Sequence, residues 1–407
     1  MRENIYKFVT YTKRHGVKQT IKRSAKYILK KSQPIFAAQP LDIMVNIDDV
    51  KQADFINHPY KKPAKISKKK LKVAWVLSPL SPGSGGQNTI TRFARHLQKQ
   101  GHDVTIYLYE AIHPQSVAEA TKILSESFKF DVHVEAIANY TESDVVFATG
   151  WETAYPVFNL KTKAHKMYFI QDFEPYFYGV GSKSILAENT YKMGLYGVTA
   201  GKWLTHRVTK EYGMSADYFD FGADLDIYKP TNPEPTERKK KIAFYARPVT
   251  ERRAFELGVI ALDIFHEKHP DYEIEFIGWD TAGYQVPFPY VNRGILSHQE
   301  LAVLYQESVA CLVLSLTNVS LLPLELLAAG CIPVVNAGDN NSMVLGENNN
   351  IRYAEATPVQ LADELDKVVS SKSIDKNAQA AIESVGSLSW EKSYDKFEKI
   401  VLKEVTK

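Results

Sequence analysis

The stretch SLTNVSLLPLELLAAGCIPVV, residues 315–335, contains the pattern that decides the fold. It holds a single charged side chain, Glu325, among apolar and small residues. SL ends a predicted strand, TNVS forms a turn, and a helix is predicted from about 321 to 329. Pro323 falls in the first helical turn, where a missing N–H costs little, and Gly330 ends the helix. A buried strand, a helix and another strand in this order are typical of a parallel sheet covered by helices.

The lone carboxylate lies close to the start of this predicted helix. A helix N-terminus offers free N–H groups and a positive dipole end, so Ser320 and Leu321 are candidate contacts for a phosphate. Glu325 lies four residues after Leu321 and on the same face. Its carboxylate is therefore placed to accept hydrogen bonds from the ribose of a nucleotide. The alternative is that Glu325 caps backbone N–H groups at the same helix start.

Short apolar strands and helices alternate on both sides of this stretch. LKVAWVL, DVTIYLY, DVVFATG, KMYFIQD and GVTA predict strands before a polar linker, TNPEPTERKKK, and KIAFYAR, EIEFIGW and CLVLSL predict strands after it. This pattern predicts an α/β protein with two Rossmann-like, doubly wound domains that face each other across a ligand cleft. The predicted divisions are a basic helical extension and irregular connection over 1–70, a first domain over 71–235, a second over 236–388, and a closing helix over 389–407 that returns to the first domain.

Composition is ordinary for a soluble globular protein, and 407 residues suffice for two or three domains. No run reaches the length of a membrane-spanning helix, and no signal-peptide core follows the start, which predicts a cytoplasmic location. Cys311 and Cys331 both lie in apolar segments. They predict buried thiols rather than a disulfide framework.

The start of the chain is strongly basic. Residues 1–31 carry ten Lys or Arg and one acid, Glu3, whereas the whole chain has a net charge of +3. Apolar residues recur between these cations at helical spacing, so residues 1–32 predict a basic amphipathic helix that contacts the inner face of the cell membrane. The alternatives are a solvated arm or a helix packed on the body. Because the rest of the chain is mildly acidic, nucleic acid is not a predicted partner.

A cluster of cations follows the first strand of the second domain. In YARPVTERR, Arg247 comes just past the strand, and Arg252 and Arg253 follow five and six residues later. Two cations beside a diphosphate neutralise its charge and stabilise its departure without a metal. The alternative is ordinary surface salt bridging.

A second loop in this domain suits the base of a nucleotide. NRGILSHQEL places Gly294, Ile295 and Leu296 in a loop, where backbone groups can pair with a base edge. Tyr305 follows on the next predicted helix, and we interpret it as a core residue.

Four stretches, in this order, resemble the retaining GT-B glycosyltransferases of glycosyltransferase family 4, over roughly residues 70 to 405. PGSGGQNTITRFARHLQKQGHDVTIY is similar to the glycine loop, helix and second strand of their N-domain, and FGADLDIYKP to the segment before the domain crossover. YARPVTERR resembles their phosphate motif, with Arg252 where Lys is usual, and LLPLELLAAGCIPVV resembles their nucleotide helix. The resemblance implies a nucleotide-sugar donor in the C-domain, an acceptor at the N-domain, and retention of configuration.

The resemblance also implies roles in the cleft. Gly85 and Gly86 would let the backbone approach the diphosphate and sugar. YFIQDFEP follows an N-domain strand, so Asp172 and Glu174 would face the cleft, and either would polarise the acceptor hydroxyl. The alternative is that one of them caps the next turn. The departing diphosphate would take the acceptor's proton, so the two cations of the phosphate motif would stabilise the leaving charge.

One position departs from the family pattern. The family usually has two glutamates eight positions apart; Glu325 matches the second, and Thr317 occupies the first. Because the first normally approaches the donor sugar, its loss puts the sugar contact in doubt, and we hypothesise a deoxysugar donor. Within the family the sequence most resembles dTDP-rhamnose-dependent rhamnosyltransferases of bacterial S-layer glycan synthesis. That resemblance implies dTDP-β-L-rhamnose as donor and a rhamnose-containing, lipid-linked glycan as acceptor; a UDP- or GDP-sugar donor is the alternative.

Three other functions are alternatives to a transferase. Gly83 and Gly85 begin a dinucleotide fingerprint, but Asn88 occupies its third glycine position, which disfavours an NAD enzyme. A nucleotide-sugar epimerase of the same fold would convert the free sugar nucleotide. The cluster of Arg247, Arg252 and Glu325 argues against a non-catalytic glycan- or membrane-binding protein.

The sequence predicts neither a metal nor another cofactor. Asp224-Leu225-Asp226 spells the DxD of metal-dependent glycosyltransferases, but those have one sheet domain with this motif at a strand end. Here it precedes the linker. The histidines and cysteines show no ligand spacing for zinc.

Overall fold

The computed structural model describes residues 41–111, 113–230, 238–319 and 321–407. The predicted basic helix over residues 1–32 and most of the predicted linker lie outside these ranges, so both stay predictions, as do the predicted domain boundaries. Met44–Lys407 forms one compact unit, whose described part contains two sheets.

The first sheet is entirely parallel. Its strands are β1 (Lys72–Leu77), β2 (Asp103–Leu108), β3 (His133–Ala136), β4 (Val145–Ala148), β5 (His165–Ile170), β6 (Tyr196–Ala200) and β7 (Ala216–Phe219). Within the described residues their spatial order is β3-β2-β1-β4-β5-β6-β7, with parallel pairing throughout. The helices of this half are α1 (Ile47–Gln52), α2 (Gly85–Lys99), α3 (Val117–Phe128), α4 (Trp151–Asn159), α5 (Ser182–Thr190), α6 (Lys202–Tyr212) and α7 (Leu225–Tyr228).

The second sheet repeats the design. Its strands are β8 (Lys241–Tyr245), β9 (Glu273–Ile277), β10 (Val291–Gly294), β11 (Ala310–Val313), β12 (Ile332–Asn336) and β13 (Arg352–Ala354), in the order β10-β9-β8-β11-β12-β13. All of these described pairs are parallel. The helices are α8 (Phe255–Lys268), α9 (His298–Glu307), α10 (Leu322–Ala328), α11 (Asp339–Leu345), α12 (Pro358–Val369), α13 (Ile374–Ser384) and α14 (Trp390–Thr406).

The central strands β1 and β8 are almost wholly apolar after their first residue, a lysine in each, because helices cover both faces of each sheet. Trp75 in β1 is fully buried and stacks on Phe147 of β4, with ring centroids 4.3 Å apart. In the second sheet, β11 and β12 are buried at every position. The predicted α/β architecture with two doubly wound parallel domains is confirmed.

The closing helix α14 packs on the core of the first domain. Its Phe397 ring lies 5.9 Å from Trp75, and the Val405 carbonyl accepts a hydrogen bond from the Ile66 amide at 2.8 Å. The chain therefore starts and ends its described fold on the same domain.

The segment before β1, which the sequence predicted to be irregular, contains a short helix. This helix is α1, where Asp49 accepts a 2.7 Å hydrogen bond from the Tyr109 hydroxyl, and Asn46 N–H donates to the same hydroxyl at 2.9 Å. Sequence patterns missed this helix because six residues are too few to show a helical period. Among the described helices, none is long and apolar enough to cross a membrane.

Candidate active site

The site lies where the strand order of the second sheet reverses. β8 pairs with β9 on one side and β11 on the other, so the loops after β8 and β11 leave the sheet in a shared crevice. Such a switch point at the carboxyl ends of parallel strands is where this fold binds ligands. The two loops are tied directly, because the Leu316 amide donates to the Arg252 carbonyl at 2.9 Å.

Arg247 leaves β8 at this crevice. Its guanidinium lies 5.6 Å from the centroid of the Trp279 ring. A Cβ at Gly278 would lie 2.7 Å from the Tyr245 ring and 3.3 Å from the Arg247 Cδ, so the glycine makes room for both side chains. The Nε of Arg247 is buried and has no hydrogen-bond partner among the residues that the structure describes. A buried donor without an acceptor lowers the stability of the fold, so an anion that accepts a hydrogen bond from Arg247 would be favoured here.

Two more arginines follow in the short 3₁₀ turn Glu251–Arg253. Arg253 Nη1 donates to the Ser315 hydroxyl at 2.6 Å, which anchors the loop after β11. Burial is the main cause that lowers the pKa of Arg253, and the positive charges of Arg252 and Arg247 lower this pKa further. The negative charge of Asp172 raises it in part. The three guanidinium groups therefore repel one another at one sheet edge, an arrangement that suits a diphosphate.

Asp172, which follows β5 of the first domain, is the acid that meets this cluster. Its Oδ2 accepts from Arg252 Nε at 3.2 Å and from the Thr317 hydroxyl at 3.0 Å. Its Oδ1 accepts from the Asn318 and Phe173 amides, both at 2.8 Å. The structure thus joins three of the predicted site residues, Asp172, Arg252 and Thr317, by direct hydrogen bonds across the two domains.

Asn318 makes a second bridge between the domains, and sequence patterns did not identify it. Its side-chain amide donates to the Gln171 and Ala200 carbonyls, each at 2.9 Å. Gly86 adjoins the same edge, since a Cβ there would lie 3.6 Å from the Gln171 side chain. A Cβ at Gly85 would meet nothing within 4 Å, so open space remains at the exposed start of α2.

A group of asparagines behind β12 fixes the loop after β11. Asn336 Oδ1 accepts from the Ser315 amide at 2.8 Å, and Asn340 donates to the Ser315 carbonyl at 2.8 Å. Asn341, nearly fully buried, donates to the Asn336 carbonyl at 2.7 Å. The amide-rich run NAGDNNS directly after a buried strand was the available signal for this support.

Glu174 does not face the cleft as predicted from the sequence. It is 5% exposed and accepts hydrogen bonds from the Tyr168 hydroxyl at 2.8 Å and from the Trp151 amide. Burial raises the pKa of Glu174 well above its usual range, and the neighbouring Glu152 adds to this shift. The short turn that begins at Glu174 directs its side chain into the first domain, where it supports the start of α4.

Glu325 lies partly exposed on α10, beside the crossover between the domains. Burial raises its pKa to about 7, and Asp224 adds to this, whereas a hydrogen bond with Tyr228 and the charge of Arg92 act in the other direction. No described backbone amide donates to its carboxylate, so the capping alternative has no support in these residues. Leu321 is the N-cap of α10, and the predicted contact Ser320 lies outside the described residues.

The predicted base-contact loop adjoins the same region. Gly294 ends β10 with a φ of +64°, Ile295 is 78% exposed, and Leu296 is half-buried. His298, which follows, places Nδ1 2.9 Å from the Tyr228 hydroxyl, the group that also interacts with Glu325. Ile295 is thus accessible at the surface of this loop.

The other residues that the sequence singled out are buried in the core or paired with other side chains. Tyr305 is buried, with its ring stacked 5.9 Å from Tyr228, and both cysteines are buried and free. Arg92 donates to both carboxylate oxygens of Asp224, at 2.8 and 2.7 Å, so the first acid of the DxD sequence is neutralised by protein. Among the described residues, no group of three His, Cys, Asp or Glu side chains could hold a metal ion.

Two parallel, doubly wound domains with an arginine cluster at their facing edges define the class as a GT-B glycosyltransferase fold, and solved structures agree. HepE from Anabaena, solved with UDP-glucose, superposes with a TM-score of 0.62 at 11% identity, over 82% of this chain and 98% of that one. WaaG, described as a glycosyltransferase involved in lipopolysaccharide biosynthesis, gives 0.56 at 13% identity, over 81% and 99%.

The particular family is shown by the sequence itself. Residues 98–200 match the family described as "WsaF, N-terminal domain", and residues 240–366 match "WsaF, C-terminal domain". The two matches together span more than half of the chain, in the order of the two domains. The protein therefore belongs to the WsaF family.

A curated relative is similar over most of the chain. The O-antigen biosynthesis protein RfbC of Myxococcus xanthus is 31% identical over 340 residues, which cover 81% of this chain. The chain spans about a quarter of the length of that relative, 27%.

Proposed function

We propose that the protein transfers L-rhamnose from dTDP-β-L-rhamnose to a rhamnose-containing, lipid-linked glycan in cell-surface glycan synthesis, with retention of configuration. The observation that carries this proposal is the arginine cluster at the switch point, with the unpartnered Nε of Arg247 at its centre. A guanidinium that lacks a protein acceptor, beside two further cations, is suited to a diphosphate that gains charge as it leaves.

The proposed transfer needs no acidic side chain as nucleophile or base, because the departing diphosphate accepts the proton. The bond between the sugar C1 and the diphosphate oxygen breaks, and its electron pair stays on the diphosphate. The acceptor oxygen forms its bond to C1 on the same face, through an oxocarbenium-like state, and its proton passes to the departing diphosphate oxygen. Arg247 and Arg252 stabilise the charge that develops there, and the product of a β-linked donor is β-linked.

The proposal that the donor sugar is L-rhamnose rests on the family of the protein and on the residue at position 317. WsaF gives the family its name, and RfbC is described as an O-antigen biosynthesis protein, which supports a cell-surface glycan. Thr317 stands where glycosyltransferase family 4, which the sequence resembles, usually has the carboxylate that approaches the donor sugar, and this favours a donor with fewer hydroxyls. The bound UDP-glucose of HepE keeps a UDP-sugar as the alternative donor.

A thermal-shift panel tests the donor. A ligand that binds only the folded protein raises its melting temperature. We expect dTDP to raise the melting temperature more than UDP, GDP, ADP or NAD at equal concentration. Stabilisation by UDP or GDP would keep the transferase and reject the dTDP donor, whereas a response to NAD alone would reject the transferase.

Transfer is expected to proceed without a metal ion, because arginines take the place of the cation at the diphosphate. The measurement is product formation from dTDP-rhamnose and a rhamnosylated acceptor, with and without excess EDTA. We expect the two rates to agree within the error of the assay. Loss of activity in EDTA that Mg²⁺ or Mn²⁺ restores would contradict the prediction.

A further inference from the structure

We infer that Asp172 is a positioning residue: it clasps the two domains together and orients Arg252 and the loop after β11 for the diphosphate. This inference rests on the proposed function, and it replaces the role of acid–base catalyst that the sequence suggested for Asp172.

The first step of the argument is that the Asp172 carboxylate is fully occupied. A carboxylate has about four acceptor sites, and four donors fill them here, two on each oxygen. Three of the four donors belong to the second domain: Arg252, Thr317 and Asn318. A general base must accept a hydrogen bond from the substrate hydroxyl, and this carboxylate has no acceptor site left for one.

The second step concerns the cation that Asp172 holds. Arg252 bonds to Asp172 through Nε, and its guanidinium lies over the ring of Phe177, 4.1 Å from the centroid. The bond to Asp172 uses Nε, so the two terminal nitrogens of Arg252 are not bonded to this carboxylate, and such nitrogens can bind a phosphate. Both Asp172 and Phe177 belong to the first domain. The donor-side cation is therefore oriented by the domain that would hold the acceptor.

The third step concerns the loop. Asp172 accepts hydrogen bonds from the Asn318 amide and the Thr317 hydroxyl. The Asn318 side chain donates to the carbonyls of Gln171, just after β5, and Ala200, the last residue of β6. The turn just before α10 is thus held by the opposite domain. Donor binding and contact between the domains are thus coupled through the Asp172 carboxylate, with the Asn318 side chain as a second link.

Calorimetric titration with dTDP and with UDP tests the clasp in four variants: Asp172→Ala, Arg252→Ala, the double variant, and Glu251→Ala. The last is the matched control, an exposed acid next to Arg252. We expect Asp172→Ala to weaken the nucleotide by about tenfold, in line with one charge-assisted hydrogen bond. In the double variant, the added loss relative to Arg252→Ala should stay below about threefold, because the two residues act together.

If Asp172 were instead a catalytic base, the titrations would give a different result. Affinity for both nucleotides would then match the wild type in Asp172→Ala, while turnover falls and the ionisation that limits the rate at low pH disappears from the pH profile. That outcome overturns the clasp.

Amide hydrogen exchange supplies a readout that needs no ligand. We expect the peptide that contains Asn318 to exchange at least about tenfold faster in Asp172→Ala than in the wild type, because its amide loses its acceptor. Asp172→Asn keeps one carbonyl oxygen and should restore part of the protection. Failure of both nucleotides to bind the wild type would count against the proposed function alone, whereas equal exchange in Asp172→Ala and wild type would overturn the clasp.

Discussion

Replacing Arg247 with alanine is expected to lower the turnover number for sugar transfer by about 100-fold or more, the range seen when one preorganised charge-stabilising donor is removed. The physical reason is that Arg247 Nε is buried with no described protein acceptor, so it costs free energy until an anion arrives. The departing diphosphate gains charge as the sugar bond breaks, and the interaction with Arg247 strengthens at that moment. The loss should therefore fall on turnover more than on the Michaelis constant of the donor.

The measurement is steady-state kinetics with dTDP-rhamnose as donor, beside circular dichroism to show that the variant is folded. Arg247→Lys should recover only part of the activity, because an ammonium carries the charge without the planar fork of a guanidinium. Arg352→Ala, which removes an exposed arginine at the start of β13, is the control and should leave turnover unchanged. A folded Arg247→Ala enzyme with wild-type turnover would exclude Arg247 from the reaction.

The position of Arg247 could be predicted because it depends on local pattern alone. A run of apolar residues predicts a buried strand, and the first polar residues after a parallel strand lie at the edge where ligands bind. The same reasoning placed Arg252, Thr317 and Asp172 at strand ends. It also gave the two-domain α/β fold, since each domain repeats strand and helix many times.

The pairing of those residues could not be predicted in the same way. Asp172 and Thr317 are 145 positions apart, and their hydrogen bond depends on how two domains meet. Glu174 shows a second limit, because two residues beyond Asp172 the chain has entered a 3₁₀ turn that buries its side chain. Local pattern names the residues at an edge; tertiary packing decides which of them point outward.

Replacing Glu325 with glutamine is expected to weaken nucleotide binding and, at the same time, to make the ligand-free protein more stable at pH 8. Burial and the nearby Asp224 raise the pKa of the Glu325 carboxyl from 4.5 to about 7. The folded protein therefore binds this proton more tightly than the unfolded chain does. Between about pH 4.5 and 7 the folded state holds more protons, so its stability falls as pH rises through this window and stays low above it.

The size of the effect follows from the shift. One pKa unit corresponds to about 1.4 kcal/mol, and solvent at the partly exposed carboxylate screens part of the total, so we expect a gain of about 1–2 kcal/mol in Glu325→Gln at pH 8. For a chain of 407 residues that is about 1–2 °C in melting temperature. The gain should shrink towards pH 4.5, because both side chains are then neutral. Melting curves of the two proteins at pH 5 and pH 8 measure it.

The affinity for dTDP should move in the opposite direction. A ribose hydroxyl donates to an ionised carboxylate more strongly than to a neutral amide, so Glu325→Gln should bind dTDP about tenfold more weakly at pH 8. A side chain that lowers the stability of the free protein but raises its affinity for a ligand is typical of a binding site. The ligand supplies the hydrogen-bond partner that the ligand-free protein lacks. Unchanged dTDP affinity together with a lower melting temperature at both pH values would reverse the assignment, and Glu325 would then serve the start of α10.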